Sequence, residues 1–369
     1  MAPKIFVLGA TGYIGGDALY ALVQAHPEYE IACLVRDSDK GAQVASQYGK
    51  ARLVYGNLDD GEILGQEAKK ADIVLSALVS WLPSKLAHRL IAPRLDCANA
   101  DNENAVNALT TGLAARATEA PAFYIHTSGN AILFVSDIDR KTYGETSTKI
   151  YDDWEGLREV TSLPDHAPHR KNDKNVINAD GPKVKTAIVC PPTIYGHGRG
   201  PGNQRSHQIP ELARSMLESK KGFQVGGGEN LGPNVYVQDL SDCYVKLVEA
   251  AVEGGGKATW GKEGYYFVEN GEHIWGHISK ATAKAAHKQR LLPSDEVFSI
   301  SEKDADSLAW WGSALWGANS RYHAIRARKL LGWLPKKGAK DLEGDIAEVV
   351  SAEAKSLGLV PGHAAKVAS

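Results

Sequence analysis

Cysteine is scarce in this 369-residue chain: Cys33, Cys97, Cys190 and Cys243 are all there are, widely separated and without a C-x-x-C pair. That excludes a disulfide framework and gives no ligand spacing for a metal, and it fits a reducing compartment. No excess of either charge exists, since 42 Lys and Arg face 44 Asp and Glu for a net −2. A nucleic-acid or anionic-membrane partner, which asks for a basic face, is therefore not expected. Long apolar runs are missing too. Nothing approaches the roughly 18 residues of a spanning helix, the first run (Ile5–Leu8) is too short for a signal peptide, and there is no N-x-S/T sequon. These absences predict a cytoplasmic protein without a membrane partner. With 43% hydrophobic and 23% charged residues, the chain has the composition to bury a sizeable core.

What is present is an alternation. Apolar runs "KIFVLG", "EIACLVR", "ARLVYGNL", "ADIVLSAL", "AFYIHTSG" and "VKTAIVCPPTIYG" are separated by helix-like stretches such as "GGDALYALVQA" and "NENAVNALTTGLAARA". Strands apolar almost throughout, alternating with helices, predict an α/β fold with a doubly wound parallel sheet of the Rossmann kind, covered on both faces. After Gly196 the character changes to glycine-rich loops ("GHGRGPGNQRS", "VGGGENLGPN") followed by helical segments. We expect a dinucleotide-binding domain over 1–200, to which about 233–255 returns, and a smaller substrate-capping region over 201–369.

Gly9, Gly12 and Gly15 are spaced G-x-x-G-x-x-G between the first strand and the first helix. The first allows a tight turn, the second lets a pyrophosphate approach the backbone, and the third lets helix and strand pack closely. The helix N-terminus offers unpaired N–H groups and a positive dipole end. Thr11, Tyr13 and Ile14 share that turn. About 20 residues on, where an acidic residue would select NAD and an arginine NADP, the second strand ends with Arg36, then Asp37, with Lys40 following. Arg36 and Lys40 point to NADP(H) as the cofactor.

In order along the chain, these segments resemble the extended and atypical short-chain dehydrogenase/reductases, the superfamily of sugar-nucleotide epimerases and dihydroflavonol reductases. "GATGYIGG" is similar to their nucleotide loop. "GNLDD" resembles the third-strand motif that lies against adenine, which implies roles for Asn57 and Leu58. "SALVS" resembles the fourth-strand end, where Ser76, Ala77 and Leu78 would border the cofactor. "HTSGN" places Ser128 where the family keeps its catalytic serine. "PPTIYG" resembles the sixth-strand motif, so Pro191, Pro192, Thr193 and Ile194 would lie near the nicotinamide. "ARKLLGWLPK" is similar to the C-terminal signature of the epimerase/dehydratase branch.

The departure lies in the chemistry. The family works with Tyr-x-x-x-Lys on a helix before the sixth strand, the lysine charge depressing the tyrosine pKa. None of the 14 tyrosines here has lysine four residues later. The expected place reads "SLPDHAPHRKNDKNVI". One register puts His166 at the tyrosine position and Arg170 at the lysine position; sliding by one gives Asp165 and His169. Arg170 could grip a ribose, and His166 or His169 could act as acid or base. A solvated polar loop is the alternative. The roughly 30 residues from Asn130 to Leu163 read as an insertion over the active site, either supplying Tyr143 or Tyr151 in place of the missing tyrosine or forming a mobile lid with no proton role. Trp310, Trp311, Trp316 and Tyr322 either suit an apolar, ring-containing substrate or form core. His197, Arg199, Arg205 and His207 either meet an acidic substrate or are solvated.

These readings predict an NADP(H)-dependent oxidoreductase acting on a small organic carbonyl or related metabolite, with Ser128 polarising the oxygen and the His166/His169/Arg170 group managing protons and ribose. Two alternatives stay open: a non-catalytic NADP-binding regulator, and a redox-neutral isomerase that uses its dinucleotide transiently. The sequence leaves homo-oligomer formation open.

Overall fold

A computed structural model describes residues 2–77 and 101–359. Seven strands form one wholly parallel sheet: β1 (Lys4–Leu8), β2 (Glu30–Val35), β3 (Arg52–Tyr55), β4 (Ile73–Ser76), β5 (Ala122–Thr127), β6 (Val184–Cys190) and β7 (Tyr265–Phe267), in the order 7-6-5-4-1-2-3. Every residue of β4 and β5 is buried, as the continuous apolar runs require of strands covered on both faces. This is the doubly wound α/β fold expected from the alternation.

Strand order reverses between β1 and β4, and ligands of open α/β sheets bind at such a point, beyond the carboxyl ends of the strands. Register makes those ends flush. Leu8 lies beside Ser76, Ser76 beside His126, and Thr127 beside Val189. Gly9, Ala77, Ser128 and Pro191 therefore follow within a residue or two of one edge. The first helix, Tyr13–Ala25, packs against the later helix Val237–Val252. A second core, including Leu212, Met216, Phe223, Trp275, Trp316 and Ile346, is built on the helices Gln208–Ser219, Trp275–Lys288 and Ala339–Ser356. No helix among the described residues is long and apolar enough to cross a membrane.

The segment read as a mobile lid is stitched down. Gly144 N donates to Gly317 O at 2.7 Å and Tyr151 N to Arg321 O at 3.0 Å. Tyr151–Asp152 pairs in parallel with Tyr322–His323. Asp153, wholly buried, accepts from the amides of Phe267, Ile325 and Arg326 at 2.8, 2.8 and 3.0 Å. A short ladder and a buried carboxylate gathering three amides hold this stretch against the C-terminal region, which the local sequence does not reveal.

Candidate active site

The glycine turn has the geometry its spacing implies. Gly9 has φ +86°, and its carbonyl accepts from Gly12 N at 2.8 Å. A β-carbon on Gly15 would lie 2.4 Å from Gly9 O and 3.1 Å from Ala77 O, so helix and sheet touch there through bare backbone. On Gly12 it would meet Gly9 O alone, at 3.2 Å. Gly12 is the N-cap, and no side chain caps the helix. Its first-turn amides, including those of Tyr13 and the buried Ile14, have no intrahelical acceptor, which is what a pyrophosphate would use. The residues present thus fit a dinucleotide. Thr11 and Tyr13 also reach the loop after β6: Thr11 O accepts from Asn203 N at 2.8 Å, and Tyr13 OH donates to Gly196 O at 2.7 Å.

At the expected adenosine end, Arg36 is exposed immediately beyond β2. Asp37 caps the helix Ser38–Gln47, its Oδ1 accepting from Lys40 N at 2.8 Å. Asn57 Oδ1 accepts from Asp59 N at 2.7 Å, and Leu58 is half-buried against the core. Ser76 and Ala77 are buried at the end of β4, while Leu78 lies outside the described residues. Pro191 O accepts from Asn130 N at 3.1 Å, Pro192 is buried, and Thr193 and Ile194 lie on a short strand, Thr193–Tyr195, parallel to Leu231–Tyr236.

Where the tyrosine–lysine pair would stand, the helix runs from Arg170 to Asn178 with His169 as its N-cap. Neither anticipated pairing forms. His166 is exposed, its Nε2 3.1 Å from both oxygens of Asp139, and Asp165 meets Lys174 Nζ at 3.0 Å. Arg170 is buried, and its Nε and Nη2 donate to the carbonyls of Leu163 and Thr161. It anchors the preceding loop, and this geometry lends no support to a grip on ribose. The i, i+4 pair brought to the strand ends is instead His169 and Asp173, because prolines 164 and 168 delay the helix start.

His169 has φ +61°, a left-handed conformation that is unfavourable for a residue with a side chain. Its Nδ1 lies 2.9 Å from Asp101 Oδ1. A β-carbon on Gly129, next to Ser128, would come 3.0 Å from Nε2, so the ring lies directly over the end of β5. Burial works against the His169 cation, but the charge and hydrogen bond of Asp101 prevail and raise its pKa. Asp101, likewise opposed by burial, is held low by His169.

Behind the ring, Ser128 Oγ donates to Asp173 Oδ2 at 2.9 Å and Tyr265 OH to the same oxygen at 3.0 Å, all three residues being buried. Burial pushes the Asp173 carboxyl up to about 6, against the pull of His169 and both hydroxyls. Nearby His126 is pushed down to about 4, again mainly by burial. Asp101, Asp173 and Tyr265 were not anticipated from the sequence. Only Asp173, four residues after His169, left any local signal.

The aromatic cluster divides. Trp316 packs on Phe223 and donates Nε1–H to Gln208 O, while Tyr322 stacks on Phe267 at 4.0 Å and donates to Cys190 O and Val268 O. Both are core residues. Trp310 and Trp311 pack on each other, and Trp311 on Phe134. Of the cations after β6, Arg199 pairs with buried Asp17 and Arg205 with Glu353 and Glu211. His207 is half-buried and desolvation of its ring pushes it down to about 4, and His197 is exposed.

Residues 4–105 match the semialdehyde dehydrogenase NAD-binding domain family, and residues 174–260 match the NAD-dependent epimerase/dehydratase family. The oxidase ucsJ of Acremonium sp is 39% identical over 371 residues, covering 97% of this chain and 100% of that protein. N-acetyl-gamma-glutamyl-phosphate reductase of Neisseria meningitidis is 37% identical over 89 residues, 24% of this chain and 25% of its own. Among solved structures, PbgP3 from Burkholderia pseudomallei superposes with a TM-score of 0.66 at 15% identity, covering 96% of this chain and 98% of its own. For the dTDP-glucose 4,6-dehydratase DesIV of Streptomyces venezuelae the values are 0.63, 15%, 96% and 97%. Such structural likeness at low identity speaks to the fold, whereas the full-length match to the Acremonium protein speaks to descent. The chain belongs to the same family as that oxidase, and its residues 174–260 match the NAD-dependent epimerase/dehydratase family.

Proposed function

We propose that this protein is an NADP(H)-dependent oxidoreductase acting on a small organic carbonyl or the corresponding alcohol, with His169 in the proton-transfer role that the family gives to tyrosine. The observation that carries the reading is the His169–Asp101 pair, in which a buried imidazole set over Gly129 at the carboxyl end of β5 is held by an exposed carboxylate. When bound, the dinucleotide supplies or takes up a hydride. Everything else falls to the chain. The uncapped turn Gly9–Gly15 holds the pyrophosphate. Arg36 meets a 2′-phosphate, and Asp37, already accepting from Lys40 N, caps a helix at the place where an acidic residue would select NAD.

Asp101 fixes the imidazole through Nδ1 and favours its protonated form. Nε2 then gives a proton to a substrate oxygen as negative charge develops there, or takes one in the reverse direction. Ser128 stands beside that oxygen's place with its hydroxyl held by Asp173. Protonation of Asp173 would free the Ser128 hydrogen to polarise a carbonyl.

The test is single-turnover nicotinamide absorbance with NADPH and a panel of carbonyl compounds, comparing wild type with His169→Ala. Loss of a positioned acid should slow the chemical step by about 10²–10⁴-fold while NADPH still binds. An unchanged rate in the variant would reject the role of His169. A second reading, a non-catalytic dinucleotide-binding sensor, draws on the commitment of the Ser128 hydroxyl to a buried carboxylate. NADPH binding without turnover across the panel would favour it.

A further inference from the structure

The loop after β6 contains Gly196, Gly198, Gly200 and Gly202, one at every second position. In an extended segment, alternate residues share a face, so such a stretch can present a face without side chains. The last three of these glycines lie against the glycine turn and the helix that follows it. A β-carbon on Gly198 would fall 3.1 Å from the Tyr13 ring, on Gly200 2.5 Å from Gly16 Cα, and on Gly202 2.2 Å from Thr11 O. At Gly200 and Gly202 backbone meets backbone at a distance that only glycine permits.

The strap is also tied down. Asp17, wholly buried on the first helix, accepts from Arg199 N at 2.8 Å, Nε at 3.0 Å and Nη2 at 2.7 Å, and from Ser241 Oγ at 2.6 Å. The guanidinium also lies 4.6 Å from the centre of the Tyr20 ring. Asn203 N and Tyr13 OH add the bonds to Thr11 O and Gly196 O described above, and Gln47 Nε2 donates to Arg199 O at 3.0 Å. A bidentate, charge-assisted pair with one partner buried is strong and geometrically specific. Beyond residue 206 the chain enters the helix Gln208–Ser219 of the second core.

We infer that residues 196–203 form a fixed wall of the dinucleotide site, and that the Arg199–Asp17 latch slows release of the dinucleotide. This rests on the dinucleotide-binding reading proposed above. Arg199 is here a positioning residue that acts through the strap. In a reductase, which exchanges its dinucleotide at every turnover, such a latch makes release the slow step.

The test is stopped-flow displacement of bound NADPH, followed by its fluorescence, beside thermal unfolding of the nucleotide-free proteins. Arg199→Ala removes the latch. Gly200→Ala lifts the strap from Gly16 and leaves the ion pair in place, so it decides the matter if Arg199→Ala does not fold. Both should raise the dissociation rate at least about tenfold and change the association rate far less, with Arg199→Lys in between. Dissociation within about twofold of wild type in folded Gly200→Ala would overturn the inference. Failure of the wild type to bind either NADPH or NADH would overturn the dinucleotide reading, and this inference with it.

Discussion

Replacing Gly15 and Gly12 separately by alanine separates the structural from the ligand-binding role of the glycine turn. In an ordinary helix Gly→Ala stabilises by about 0.5–1 kcal/mol. At Gly15 the new β-carbon would stand 2.4 Å from Gly9 O, 2.8 Å from Gly9 C and 3.1 Å from Ala77 O, all of them backbone. The turn carbonyl must retreat by roughly 1 Å, and overpacking of this kind costs about 1–3 kcal/mol or more. That carbonyl also accepts the Gly12 N–H at 2.8 Å, a bond worth about 0.5–1.5 kcal/mol. The penalties outweigh the propensity gain, so Gly15→Ala should destabilise the protein by about 1–3 kcal/mol with no nucleotide present. At Gly12 the single contact, Gly9 O at 3.2 Å, asks for a few tenths of an ångström. Gly12→Ala should fold with stability within about 1 kcal/mol of wild type yet bind NADPH at least about tenfold more weakly, because its methyl stands where the pyrophosphate approaches. Urea unfolding without nucleotide and calorimetric titration with NADPH measure the two effects. A Gly15→Ala protein as stable as wild type, or a Gly12→Ala protein binding NADPH as tightly, would refute the division of roles.

Three further outcomes are expected. Wild type should bind NADPH more tightly than NADH by calorimetry, and Arg36→Ala should remove about 1.5–3 kcal/mol of that difference; equal affinities in wild type would refute the assignment. Asp153, pushed up to about 6 mainly by burial and despite its three amide donors, binds its proton more tightly folded than unfolded, so its contribution to stability is full below about pH 4 and is lost as pH rises towards 6. Asp153→Asn forfeits at least one amide acceptor, costing about 1–3 kcal/mol at pH 4, and the gap from wild type in urea unfolding should narrow by pH 7; a gap that widens would contradict the sign. Trp316→Ala, at a buried position on Phe223, should cost about 3–5 kcal/mol of stability, measured by thermal or urea unfolding, whereas a stable protein altered only in substrate binding would restore the substrate-facing reading of that tryptophan.

The fold could be read from the sequence because its signals are local and periodic. Unbroken apolar runs between amphipathic stretches specify a parallel sheet covered on both faces, and G-x-x-G-x-x-G after the first run specifies the turn, with Gly9 at φ +86° and Gly15 against Gly9 O. What that sheet brings together is a different matter. Asp101, Ser128, the His169–Asp173 helix start and Tyr265 come from four separate segments, and they meet because β4, β5, β6 and β7 lie side by side with flush carboxyl ends. No spacing encodes that order. Nor could the sequence choose the helix register, since Pro164 and Pro168 blur its start and only packing holds His169 in a left-handed conformation. Arg199 and Arg205 carry the same charge in the sequence as any solvated arginine. Their buried carboxylate partners, Asp17 and Glu353, lie 182 and 148 positions away, and only the tertiary structure pairs them.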